Sequence, residues 1–175
     1  AADIFVFTGG ADIHPRIYGE RILEVTYPNP ARDDFELAAY HKIPKEKAKV
    51  GICRGAQLLN ALNGGKMWQD VNNHGGWHHA LHLNVRGIVE KDVVVITSIQ
   101  HQMMIPTYKA EVLGVAFEST HKIKAGKDIQ GTFFTDPEVV WYKEDRAFCF
   151  QGHPEFGHKK TTDVFFKLLK HVGIG

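Results

Sequence analysis

The chain has 175 residues, 43% hydrophobic and 23% charged, which is the composition of a soluble globular protein with one packed core. Twenty-one basic and 20 acidic side chains leave a net charge of +1 with neither sign segregated, so charge favours neither nucleic acid nor an anionic membrane as partner. No apolar run exceeds four residues, which excludes a transmembrane helix, and two cysteines are too few for a disulfide scaffold.

The chain runs almost at once into Ile4-Phe5-Val6-Phe7, ended by Thr8-Gly9-Gly10, the pattern of a buried parallel strand. Such a strand seldom opens a protein, so the expectation is that sequence precedes Ala1. Residues 11–32 carry Pro15, Gly19, Pro28 and Pro30 and read as loop. Asp33 or Asp34 is the expected cap of a helix with Phe35, Ala38, Ala39 and Ile43 at helical spacing, stopped by Pro44. Val50-Gly51-Ile52 reads as a strand, and Gly55 to Leu62 as a helix ending at Gly64-Gly65. Strand-like pieces follow at Leu83 to Val89, Val93 to Ile96 and Glu111 to Phe117, partly antiparallel. Three more are expected at Gly131 to Phe134, Val139 to Tyr142 and Ala147 to Gln151. A last helix from about Thr161 to His171 turns Val164, Phe165, Leu168 and Leu169 inward. The whole predicts one α/β domain over residues 1–175 with a β-rich middle.

Gly51-Ile52-Cys53-Arg54-Gly55-Ala56-Gln57 has the form of a nucleophile elbow, a strand, a sharp turn and a helix with glycine two positions either side of the reactive residue. A Cβ at either glycine would collide with the neighbouring strand or helix. The helix N-terminus and Arg54 are expected to lower the thiol pKa, and the Arg54 N–H suits an oxyanion hole. Cys149, inside Phe148-Cys149-Phe150, reads as core packing. A cysteine nucleophile needs a base, and Gln151-Gly152-His153-Pro154-Glu155 follows an apolar strand. With His153 held extended by Pro154, His153 and Glu155 fall on one side, so that Glu155 can orient the imidazole.

Together these segments resemble the class I glutamine amidotransferase superfamily, with its G-x-C-x-G-x-Q elbow and late H-P-E. Gly9-Gly10-Ala11-Asp12-Ile13-His14-Pro15, Tyr18-Gly19-Glu20, Arg32-Asp33 and Glu36 resemble its γ-glutamyl hydrolase branch, which includes γ-glutamyl-GABA hydrolases. Gly64-Gly65, Ser98, His101 and Gln102 extend the similarity over almost the whole chain. The resemblance implies an open, mostly parallel, flavodoxin-like sheet flanked by helices, whose first strand and helix would lie before Ala1, with the site at the strand C-terminal ends. It implies Cys53, His153 and Glu155 as a triad, backbone N–H groups of Gly10 and Arg54 as oxyanion donors, and Gln57, Ser98, His101 and Gln102 near a small-molecule γ-glutamyl substrate. The implied reaction hydrolyses a γ-glutamyl amide through a Cys53 thioester, in the cytoplasm, with no metal or organic cofactor.

Other readings compete. A glutaminase subunit that supplies ammonia to a ligase or synthetase partner shares these motifs, and a silent binding domain would keep the fold without the chemistry. His74, His78, His79, His82 and His101 cluster in a way that can mean zinc. Against zinc, Gly75-Gly76-Trp77 breaks helical spacing and no cysteine joins the group.

Overall fold

A computed structural model describes residues 2–89 and 92–175. In chain order its strands are β1 (Ile4–Phe7), β2 (Ala48–Ile52), β3 (Lys66–Trp68), β4 (Asp70–Val71), β5 (Trp77–Leu83), β6 (Val93–Ser98), β7 (Met103–Ile105), β8 (Glu111–Ala116), β9 (His121–Lys124), β10 (Lys127–Gln130), β11 (Asp136–Tyr142) and β12 (Ala147–Phe150). The helices are α1 (Pro30–Tyr40), α2 (Arg54–Leu62) and α3 (Lys159–His171).

Seven strands form the main sheet in the order β1-β2-β12-β11-β8-β5-β6. The α/β class and the helix-flanked sheet are as expected, but the sheet is mixed rather than mostly parallel. Parallel pairing is confined to β1, β2 and β12, and the remaining neighbours are antiparallel. The three parallel strands are the ones whose C-terminal ends carry Thr8-Gly9-Gly10, Cys53 and Gln151-Gly152-His153. Small sheets of β10-β9-β4 and β3-β7 flank this end.

The central strands alternate between two cores. Phe148 and Phe150 join Val139, Trp141, Val164, Phe165, Leu168 and Leu169 beneath α3. Ala147 and Cys149 join Val140, Tyr142, Phe7, Leu58 and Leu59 on the α2 side. Cys149 is fully buried and packs as expected. Each large apolar side chain removed from water in this way contributes about 2 kcal/mol.

Several elements depart from the expected bounds. α1 begins at Pro30, capped by the Asn29 side chain on the Arg32 N–H, not at Asp33 or Asp34. Proline is favoured at a first helical position, because its missing N–H has no partner to lose there. The inward residue of α1 is Asp33, whereas Phe35 is 73% exposed. β1 is an edge strand with Ile4 and Val6 exposed, not a strand buried on both faces. The strand expected at Leu83 to Val89 lies earlier, at Trp77–Leu83, and residues 84–89 form bends around a turn at 86–87. Gly131 to Phe134 is no strand; β10 (Lys127–Gln130) precedes it.

The elbow obeys the steric argument closely. Cys53 has φ +50 and ψ −111, a strained left-handed-side conformation for a residue with a side chain. A Cβ on Gly51 would lie 2.5 Å from the Ala56 nitrogen and the Gly55 oxygen, and one on Gly55 would strike the Phe7 carbonyl. Backbone atoms of two elements cannot yield as a flexible side chain does. Gly51→Ala is therefore expected to lower the unfolding free energy by about 3 kcal/mol, read as a shifted urea midpoint. An unchanged midpoint would mean that the strand and helix are not in close contact there.

Candidate active site

The ends of β1, β2 and β12 and the segment before β7 enclose a cavity of about 490 Å³. Cys53 and His153 line it together with Gly9, Gly10 and Glu155. A Cβ on Gly9 would sit 3.0 Å from His153 Cε1 and 3.6 Å from Cys53 Cβ. The thiol and the imidazole therefore flank a residue that has no side chain to separate them.

His153 is gripped on three sides. Its Nδ1 lies 2.6 Å from Glu155 Oε1, and its ring stacks on Phe156 at 4.3 Å between centroids. Its N–H donates to Thr97 Oγ1 at 2.9 Å, and that hydroxyl donates back to the His153 carbonyl. His153 and Glu155 meet through the tight turn Pro154–Phe156 rather than along an extended chain. The other ring nitrogen, Nε2, is buried and has no hydrogen-bond partner among the described residues.

Burial pushes the Cys53 thiol up to about 12, and the nearby Glu155, Glu138 and Asp12 carboxylates push the same way. A hydrogen bond from the Arg54 N–H opposes them. The expected lowering of the thiol pKa is thus reversed. The Arg54 side chain cannot lower it from where it lies, because its guanidinium is buried and paired with Asp33 at 2.5 Å and with Glu36. Glu36 also holds Arg32 at 2.9 Å, and Arg32 donates to the carbonyls of Gly9 at 2.9 Å and Thr8 at 3.0 Å. One ionic network thus joins the elbow to the Gly9-Gly10 loop. Gly10 has φ +151, and a Cβ there would collide with the Arg32 guanidinium.

Of the expected substrate residues, Gln57, His101 and Gln102 line the cavity. Gln57 Nε2 reaches the Gln102 carbonyl at 3.4 Å, and Gln102 Oε1 is buried without a partner. His101 lies between Asp12 at 3.1 Å and Asp70 at 3.2 Å, and Asp12 above all raises its pKa. Ser98 does not reach the cavity. Its hydroxyl donates to the His74 carbonyl at 2.5 Å, which turns it into the packing behind Gln100. The sequence reading did not single out Gly9, Asp12, Thr97 or Phe156 as site residues. Phe156 directly follows His-Pro-Glu, and Asp12 lies in the glycine-led loop, so both had a local signal. Thr97 had none.

The sequence profile of the peptidase C26 family matches residues 1–126. The chain belongs to that family, within the class I glutamine amidotransferase superfamily. It is 43% identical over 72 residues to the glutamine amidotransferase-like protein YvdE of Lactococcus lactis, a match to 40% of this chain and 30% of that protein. It is 33% identical over 128 residues to the carbamoyl phosphate synthase small chain of Escherichia coli, covering 73% of this chain and 29% of that one. The chain thus spans about a third of the length of these two curated relatives. A glutamine amidotransferase structure from Thermotoga maritima superposes with a TM-score of 0.52 at 17% identity, over 79% of this chain and 54% of that one, a likeness of fold. No helix among the described residues of this peptidase C26 chain is long and apolar enough to cross a membrane.

A thiol with a pKa near 12 keeps gaining thiolate throughout the neutral and mildly alkaline range. The alkylation rate of Cys53 by iodoacetamide in the free protein is expected to climb about tenfold per pH unit from 7 to 10, without a plateau. Peptide mapping after timed quenching checks this. A plateau below pH 9 would show that the resting thiol is ionised.

Proposed function

We propose that the chain hydrolyses a γ-glutamyl amide through a thioester on Cys53. The observation that carries this reading is the buried, unpartnered Nε2 of His153, in the cavity that Cys53 also lines, with Nδ1 held by Glu155. In the proposed cycle the Cys53 thiol gives its proton to His153 Nε2 as the sulfur attacks the δ-carbonyl carbon. The carbonyl oxygen becomes an oxyanion, which accepts from the N–H groups of Arg54 and Gly10. Each such donor is worth about 3 kcal/mol when it is aimed at developing charge.

The tetrahedral species collapses as His153 protonates the departing nitrogen, and the amine leaves a γ-glutamyl thioester. His153 then takes a proton from water, the resulting hydroxide attacks the thioester, and glutamate departs as the thiol is restored. Glu155 stays ionised and steadies the imidazolium at Nδ1. The unclaimed Gln102 Oε1 accepts from the substrate α-ammonium. His101, whose raised pKa favours the cation, faces the α-carboxylate. Binding energy on these groups, remote from the scissile bond, holds the carbonyl at the sulfur.

The similarity to a carbamoyl phosphate synthase small chain favours a second reading, a glutaminase that passes ammonia to a synthetase partner. The two differ in what the chain does alone. Glutamate release from glutamine, γ-glutamyl-p-nitroanilide and γ-glutamyl-GABA separates them, with Cys53→Ala as control. The hydrolase reading expects turnover of the γ-glutamyl amines that falls on the order of 1,000-fold or more in Cys53→Ala. Slow turnover of glutamine alone would replace it with the partner-dependent reading. No release from any of the three would leave a binding domain.

A further inference from the structure

Near the cavity, but not lining it, three ionisable side chains converge. His79 is an inward-facing residue of β5, Glu138 comes from β11, and His74 from the turn before β5. Their ligand-capable atoms all lie within 4.8 Å of one another. His74 Nδ1 lies 3.2 Å and His79 Nε2 3.3 Å from the same oxygen, Glu138 Oε1. Nitrogen and oxygen ligands about 2.05 Å from a tetrahedral zinc ion stand about 3.3 Å apart, which the two histidine–Glu138 spacings match. The two histidine nitrogens, within 4.8 Å of each other, close to that edge length around a bound ion.

The surroundings are those of a metal ligand set. His74 Nε2 lies 3.0 Å from Asp136 Oδ2, a carboxylate placed to hold the ring proton there when Nδ1, 3.2 Å from Glu138 and 3.3 Å from the Gln100 amide, serves as a metal ligand. Asp136 is itself fixed by the Ser119 N–H at 2.9 Å and by Lys122 at 2.5 Å. Gln100 Nε2 donates to Glu138 at 3.1 Å. Among the described residues His79 Nδ1 has no hydrogen-bond partner and Nε2 has only the Glu138 carboxylate at 3.3 Å, although the residue is only 7% exposed. Gln151, opposite Glu138 in the β11–β12 ladder, also has both amide atoms buried and unpaired. Burying such groups is costly unless something satisfies them.

We propose that His74, His79 and Glu138 bind one divalent transition ion of the zinc class. Two imidazoles and a carboxylate suit zinc far better than magnesium or calcium, which prefer oxygen alone. All three ligands are buried, so the ion is structural, with a water completing its shell. It ties β5 and β11 to the turn before β5. Through Gln100, which contacts both His74 and Glu138, it steadies the segment that places His101 and Gln102 in the cavity. The other clustered histidines take no part. His78 packs on His158, His82 on Phe117, and His101 sits between Asp12 and Asp70.

The site is independent of the proposed reaction, and its test does not use activity. The full chain is stripped with chelator, then titrated with Co²⁺ while the visible spectrum is recorded, and zinc content is measured separately by mass spectrometry. The expected result is one equivalent of metal, with the intense visible bands of tetrahedral cobalt. Cobalt binding should weaken at least tenfold in His79→Ala and in Glu138→Gln, and stay unchanged in His78→Ala. Wild-type protein that takes up no stoichiometric metal would overturn the proposal and leave a buried cluster held by protons. Equal binding by wild type and His79→Ala would overturn it as well. Should a ligand variant fail to fold, the wild-type cobalt spectrum still decides, because octahedral or absent bands contradict a tetrahedral site.

Discussion

A buried guanidinium governs the geometry of this protein. Arg54 follows the elbow cysteine and is almost wholly removed from water, so it needs carboxylates within reach. Asp33 and Glu36 of α1 supply them, and Glu36 extends the pairing to Arg32, which grips the carbonyls of Thr8 and Gly9. Asp33 in addition accepts from the His14 N–H at 2.9 Å, fixing the loop beyond Gly10. A buried network of this kind is weak evidence for net stability, because desolvation offsets most of the attraction. Its contribution is position: the elbow and the glycine loop, which arise from different strands, are locked into one frame around the cavity.

That frame decides what kind of nucleophile the site can hold. The guanidinium charge is neutralised by its own partners, and the thiol is buried near carboxylates, so the resting sulfur stays protonated. In the proposed cycle attack is therefore coupled to proton transfer, a role that the fixing of the imidazole by Glu155, Phe156 and Thr97 would suit. On that proposal the thiolate forms only as a substrate carbonyl comes beside the sulfur.

Much of this was legible in the sequence where the constraint is local. The elbow glycines are demanded by contacts between adjacent elements and were legible in spacing. The pairing of His153 with Glu155 was legible too, though the sequence pointed to an extended chain where the structure has a turn. The last helix was legible because its apolar stripe faces one core. α1 was misread because its buried face is acidic, and apolar periodicity therefore pointed to the solvent side. β5 was misread because histidines occupy three of the seven positions in Trp77–Leu83 and mask the strand pattern. Antiparallel strands in the middle were expected, but which of them pair, the withdrawal of Ser98 and the meeting of His74 and His79 with Glu138 depend on contacts between distant segments. No local spacing encodes them.

The central claim is that Cys53 carries the glutamyl group during turnover. The most direct measurement is intact mass spectrometry of the protein acid-quenched while it turns over γ-glutamyl-p-nitroanilide, followed by peptide mapping. The account predicts a hydroxylamine-labile adduct of one γ-glutamyl group on the peptide that contains Cys53. Turnover with no adduct at Cys53, or with an adduct on another residue, would contradict it.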